Sequence, residues 1–158
     1  MAISVGDQAP GFTLKRKDGD LVDVSLADYK GSKNVVLIFV PLAFTGACTD
    51  ELCSVSGGLS DYEGLDAEIL ALSVDSPFAQ EAWAKASDIK VPLLSDFNKE
   101  VCQAYGCMYE DLLGFTGVAK RSAFVIDKEG VVRFATVSDD AKVVPDFDAI
   151  KSCLSSLN

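Results

Sequence analysis

The sequence predicts an α/β fold built on one mixed central sheet with helices on both faces. Three observations carry this expectation. Residues 35–40 and 68–74 are strand-sized runs, largely apolar and rich in β-branched side chains, as strands buried on both faces should be. A helical pattern follows each run within a few residues, so strand and helix alternate early in the chain. Residues 122–126 and 131–135, joined by Asp127-Lys-Glu-Gly130, then read as a hairpin, and a closing helix follows. One sheet covered on both sides accommodates this order. Taken alone, the pattern also fits other α/β folds, a flavodoxin-like one among them.

Residues 9–14 and 21–24 flank Lys15-Arg-Lys-Asp-Gly-Asp20, where Asp18-Gly19 supplies the turn chemistry of an N-terminal β-hairpin. Ser25-Leu-Ala-Asp-Tyr29 suits one capped turn, ended near Gly31. The strand at 35–40 runs into Pro41, whose nitrogen has no hydrogen for a ladder and so begins the departure from the sheet. From Thr45 a helix is expected. Cys48, Leu52, Val55, Leu59 and Tyr62 recur at spacings of three and four and give it a buried stripe. Gly57-Gly58 weakens its middle and allows a bend. Ser76-Pro77 combines an N-cap with proline at the first helical position, ahead of a helix over 78–86. Pro92-Leu-Leu94 reads as extended, 98–105 as a short helix stopped by Gly106, 107–120 as a loop-rich excursion, and 146–154 as the last helix. With no repeat, low-complexity tract or linker, residues 1–158 are expected to form a single domain.

Composition narrows the function. At 49% apolar residues and five prolines the chain has ample core material and needs no disulfide framework. Its five cysteines are odd in number and irregularly spaced. A formal charge of -10 disfavours nonspecific binding to nucleic acid or anionic membranes. Apolar runs are strand-sized, and the N-terminus lacks the basic-then-apolar pattern of a signal peptide, so a cytoplasmic location is expected. There is no histidine. That removes Cys–His and Ser–His catalytic pairs, Cys/His zinc patterns and histidine-ligated haem.

The run Pro41-Leu-Ala-Phe-Thr45-Gly-Ala-Cys48 therefore stands out. It sets a cysteine at the start of a helix, just beyond a buried strand, where open backbone N–H groups favour a thiolate. The sequence reads first as a thiol redox enzyme; a buried structural cysteine is the plainer alternative. Without histidine, activation must come from backbone dipoles, Arg, Lys or hydroxyl groups.

Pro41, Thr45 and Cys48, as Pro-x-x-x-Thr-x-x-Cys, resemble the active-site signature of the peroxiredoxins. Arg121, ahead of an apolar strand, matches that family's remote arginine. Leu94-Ser-Asp-Phe97, Ala104-Tyr-Gly106 and Arg121-x-x-Phe124-x-Ile-Asp127 make the chain most similar to AhpE-like members, nearly end to end. In its second cysteine, Cys53, it is also similar to the PrxQ or BCP group. The resemblance implies a thioredoxin-like fold with an N-terminal extension, and reduction of hydrogen peroxide and organic hydroperoxides. It implies no haem, flavin or metal, a thioredoxin, glutaredoxin-like or mycoredoxin-like reductant, and a homodimer.

Under that resemblance Cys48 is the peroxidatic nucleophile. Thr45, three residues earlier, can donate to the peroxide and accept from a backbone N–H, or serve only as an N-cap. Pro41 shapes and shields the pocket, or simply ends a strand. Arg121 offers a permanent charge and several donors for a thiolate and a developing oxyanion. Glu51 is a possible supporting residue that orients Arg121; otherwise it is a solvent-facing acid near the helix start.

Cys53 is expected to resolve the Cys48 sulfenic acid as an intramolecular disulfide. In a helix their Cα atoms lie beyond disulfide reach, so the first turns must unwind. The alternatives are a one-cysteine enzyme resolved by an external thiol, or a redox sensor switched by Cys48. Cys102 and Cys107 share the same spacing but are separated by Gly106, and Cys153 lies in the last helix. These three read as structural. Phe44, Trp83 and Phe115 are candidates for an apolar rim, whereas Phe39 reads as core.

Overall fold

The computed structural model describes residues 3–157. Its centre is β3 (Asn34–Phe39), buried along its full length. Parallel β4 (Ala67–Ser73) pairs on one side and antiparallel β6 (Ser122–Ile126) on the other. Strand β5 (Leu93–Ser95) continues the parallel part beside β4, and β7 (Val132–Val137) closes the antiparallel edge beside β6. The antiparallel β3–β6 pair makes the sheet mixed, as expected, and excludes the flavodoxin-like alternative.

The N-terminal hairpin joins this sheet. Strands β1 (Thr13–Asp18) and β2 (Asp20–Ser25) pair across Gly19, whose φ of +79° suits glycine. Lys15 lies opposite Ser95, giving the seven-strand order β2-β1-β5-β4-β3-β6-β7. The expected turn over 15–20 is thus much shorter, because Lys15, Arg16 and Lys17 belong to the ladder. An edge hairpin tolerates such charges and pairs them across strands, as Lys15 does with Asp23 at 2.7 Å.

Alternate side chains of β3 feed two cores. Val36 and Ile38 pack with Leu52, Val55, Trp83, Ile150 and Leu154 on one face. Val35, Leu37 and Phe39 meet Val101, Cys102, Tyr105 and Phe124 on the other. Each large apolar side chain buried this way contributes roughly 1.5–3 kcal/mol. Phe39, Tyr105 and Phe124 form an aromatic cluster with ring centroids 5.2 to 5.8 Å apart. Phe39 is core, as expected.

The helices on the first face are α1 (Gly46–Gly57), α3 (Pro77–Ser87) and α5 (Phe147–Ser156). The predicted stripe from Cys48 to Tyr62 is divided: helix α1 stops before Gly58, and α2 (Leu59–Glu63) resumes after it. The glycine pair therefore breaks the helix instead of bending it. Ser76 caps α3 by accepting from the Ala79 N–H, and Asp146 caps α5 by accepting from Ala149. On the second face α4 (Glu100–Ala104) is shorter than predicted, starting only after Lys99 in a left-handed conformation. Among the described residues no helix is long and apolar enough to cross a membrane.

Candidate active site

Strand β3 ends at Phe39, and Pro41 carries the chain off the sheet toward α1. This crossing segment holds Phe44 at φ +66°, a left-handed conformation that costs an aromatic residue on the order of 1–2 kcal/mol. Two hydrogen bonds hold it there. The Ala43 N–H donates to Asp75 Oδ2 at 2.8 Å, and the Thr45 hydroxyl donates to the Leu42 carbonyl at 2.8 Å. Thr45 is the N-cap residue of α1, but its side chain accepts no backbone N–H. The expected capping bond is absent because the hydroxyl turns back onto the crossing segment.

Cys48 is the third residue of α1 and is 1% exposed. Arg121, 73 residues later and immediately before β6, reaches it across the fold: Nη2 donates to Cys48 Sγ at 3.1 Å. The guanidinium is anchored through Nε, and Nη1 faces a carboxylate without a hydrogen bond among the described residues. Nε donates to the Ala141 carbonyl at 2.7 Å, and Nη1 lies 3.6 Å from Glu51 Oε1. Antiparallel pairing of β3 with β6 makes this possible, because Ser122 lies opposite Phe39 and so sets Arg121 beside the end of β3.

Glu51 is not a solvent-facing acid. Its side chain is fully buried against Arg121, one turn beyond Cys48, and neither carboxylate oxygen has a hydrogen-bond donor among the described residues. Burial pushes its carboxyl up from 4.5 to about 7, with Arg121 opposing the change. A protonated Glu51 leaves the guanidinium charge directed at the sulfur; an ionised one shares it.

Cys53 lies further along the same unbroken helix and faces elsewhere. Its thiol donates to the Ser87 carbonyl at the end of α3, at 3.3 Å, and packs half-buried against the first core. All five cysteines are unbridged. Cys102 and Cys107 are buried in the second core, across the sheet from Cys48, and Cys153 sits half-buried with its thiol toward the Arg133 carbonyl. Of the proposed rim, Phe44 and Phe115 are exposed, but Trp83 is fully buried. Its indole N–H donates to Thr49 Oγ1 at 3.0 Å, and its ring lies 6.3 Å from that of Phe44.

Sequence reasoning missed Asp75, Ser73 and Gln80. Asp75 Oδ2 accepts from both the Ala43 N–H and the Ser73 hydroxyl, and Ser73 Oγ accepts from Gln80 Nε2. This chain ties the Cys48 approach to the end of β4 and to α3. Only a strand-end Ser-x-Asp beside a capped helix hinted at it, and such a pattern is common at turns.

A permanently charged donor on a buried thiol at a helix start can hold a thiolate and then meet charge on a leaving oxygen. Fold and site together define a cysteine-based redox protein. Comparisons with known proteins agree. The model of the AhpC/TSA family matches residues 5–135. Alkyl hydroperoxide reductase E of Mycobacterium tuberculosis is 42% identical over 143 residues, covering 89% of this chain and 90% of that protein. A chloroplastic 2-Cys peroxiredoxin of Hordeum vulgare is 37% identical, over 85% of this chain and 66% of its own. Among solved structures, reduced 2-Cys peroxiredoxin of Plasmodium vivax superposes with a TM-score of 0.85 at 30% identity, over 95% of this chain and 79% of that one. The fold is thioredoxin-like with an N-terminal hairpin. The chain belongs to the AhpC/TSA family of peroxiredoxins, thiol-dependent peroxidases that act through a peroxidatic cysteine.

Proposed function

We propose that this single-domain protein reduces hydrogen peroxide and organic hydroperoxides through Cys48, and that an external thiol completes the cycle. The observation that carries the site assignment is the 3.1 Å contact between Arg121 Nη2 and Cys48 Sγ. The Cys48 thiolate attacks one peroxide oxygen; the O–O bond breaks, and the other oxygen leaves as alcohol or water once protonated. Arg121 meets the charge on that oxygen, and Thr45, by turning its hydroxyl from Leu42, donates to the bound peroxide. Pro41 covers the approach, and Glu51 orients the guanidinium. Cys48 becomes a sulfenic acid. A first external thiol displaces water from it to form a mixed disulfide, and a second thiol releases Cys48.

The external route is favoured over Cys53 by where the two sulfurs are held. Cys48 faces Arg121, Cys53 faces Ser87, and α1 is continuous between them. In a regular helix residues five apart have Cα atoms about 8.7 Å apart, beyond disulfide reach. A thioredoxin- or mycoredoxin-like donor, a homodimer and a cytoplasmic location complete the proposal by analogy with the family.

Intact-mass analysis and peptide mapping of wild type and Cys53→Ser after one equivalent of hydroperoxide test it. One added oxygen on Cys48 in both proteins supports the external route. A Cys48–Cys53 bridge in wild type, with C53S stopping at the sulfenic acid, would establish the two-cysteine cycle instead. No oxidation of Cys48 in either protein would overturn the peroxidase assignment.

A further inference from the structure

The five-residue spacing of Cys48 and Cys53 recurs at Cys102 and Cys107, with the opposite geometric outcome. Helix α4 does not continue through the second pair. Gly106 takes a left-handed φ of +68°, its N–H donates to the Gln103 carbonyl at 3.1 Å, and the Cys107 N–H donates to the Cys102 carbonyl at 2.9 Å. These paired bonds define a Schellman motif, in which Cys102 and Cys107 occupy the two positions whose side chains typically meet. With standard bond lengths on either side, the Cys107–Cys102 hydrogen bond holds the Cα atoms within about 7 Å of each other. That lies at or inside the outer limit for a disulfide, with the helix intact.

We propose that Cys102 and Cys107 are a second dithiol couple, separate from Cys48, which hydroperoxide converts to an intrachain disulfide. The balance is simple. One thiolate attacks a peroxide oxygen and releases alcohol, or water from hydrogen peroxide, leaving a sulfenic acid. The other sulfur then attacks it, a water leaves, and two electrons have passed from the thiols to the peroxide. An external dithiol reverses the bridge by exchange.

Both thiols belong to the buried core on the face of the sheet away from Cys48. Burial is the main force pushing both thiols up, Cys107 to about 12, and each lies close enough to other charges, Asp96 included, to be affected by them. Arg121 donates to the Cys48 sulfur, whereas the Cys102 thiol itself donates to the Lys99 carbonyl at 3.6 Å, so the couple is a slow nucleophile that reacts after Cys48, when peroxide is in excess. Its position gives the bridge a consequence. Cys107 begins the excursion that ends at Arg121, and its carbonyl accepts from the Lys120 N–H at 2.6 Å, closing the base of that excursion. A 102–107 bridge pins this base beside the residue that contacts Cys48.

The test uses the full chain, fully reduced, in wild-type and Cys48→Ser forms. Each is exposed to excess hydrogen peroxide, acid-quenched, alkylated under denaturing conditions and mapped by mass. A Cys102–Cys107 bridged peptide, two hydrogens lighter, is expected in both proteins, appearing in wild type after Cys48 is oxidised. Its formation in the Cys48 variant keeps it distinct from the peroxidase cycle, whatever the fate of that reading. Recovery of Cys102 and Cys107 as alkylated thiols, as separate oxygenated residues, or bridged to other cysteines would overturn the proposal.

Discussion

Replacing Glu51 by glutamine should change how stability depends on pH. Glu51 is fully buried beside Arg121, and burial raises its carboxyl from 4.5 to about 7 despite the guanidinium. Between those two values the folded chain keeps a proton that the unfolded chain has released. Stability therefore falls as pH rises across this window and is lowest above it. The gap is worth about 3 kcal/mol, with no discount for solvent because the side chain is inaccessible. Glutamine keeps the shape and cannot titrate. Urea unfolding of wild type and Glu51→Gln at about pH 5 and about pH 8 measures the difference. With an m-value of about 2 kcal/mol/M, the wild-type midpoint should fall by roughly 1–1.5 M relative to the variant over that range. The comparison concerns slopes, so a constant cost of burying the amide does not enter. Parallel midpoints across pH would refute the reasoning, showing that pairing with Arg121 outweighs desolvation and keeps Glu51 charged throughout.

Three further outcomes are expected. Arg121→Ala should lower the second-order rate constant for peroxide by roughly 10²–10³, the usual effect of losing a charged donor to the reacting centre, while Arg121→Lys should recover only part because the planar fork is lost; stopped-flow peroxide consumption measures both. Asp75→Ala leaves the Ala43 N–H and the Ser73 hydroxyl without their acceptor and should cost about 1–3 kcal/mol together with peroxidase rate, whereas Asp75→Asn can place one amide oxygen where Oδ2 accepts both and should retain most of each. Trp83, the one tryptophan, contacts Thr49 of α1, so its emission should change little when Cys48 is oxidised with α1 wound, and a large shift abolished by Cys53→Ser would instead report unwinding toward a disulfide.

What the sequence determined by itself is local and periodic. The apolar run of β3, the Ser76-Pro77 cap and the hairpin turn at Asp127 follow from steric and hydrogen-bonding rules that act over a few residues. The same is true of Cys48 at a helix start, and the Pro-x-x-x-Thr-x-x-Cys run supplied the family resemblance. Even within that range, neighbours decided details: the charged Lys15-Arg-Lys17 reads as a turn until an edge ladder is available to it. Tertiary structure decided everything that depends on distant segments meeting. Arg121 reaches Cys48 only because β6 runs antiparallel to β3, and the same arrival sets its guanidinium beside the buried Glu51. Asp75 gains its role only when β4 ends next to the crossing segment. The two cysteine pairs show the boundary most plainly. Their spacing is identical, yet a continuous helix separates one pair while a left-handed glycine folds the other together, because side-chain proximity depends on backbone path, which spacing does not record.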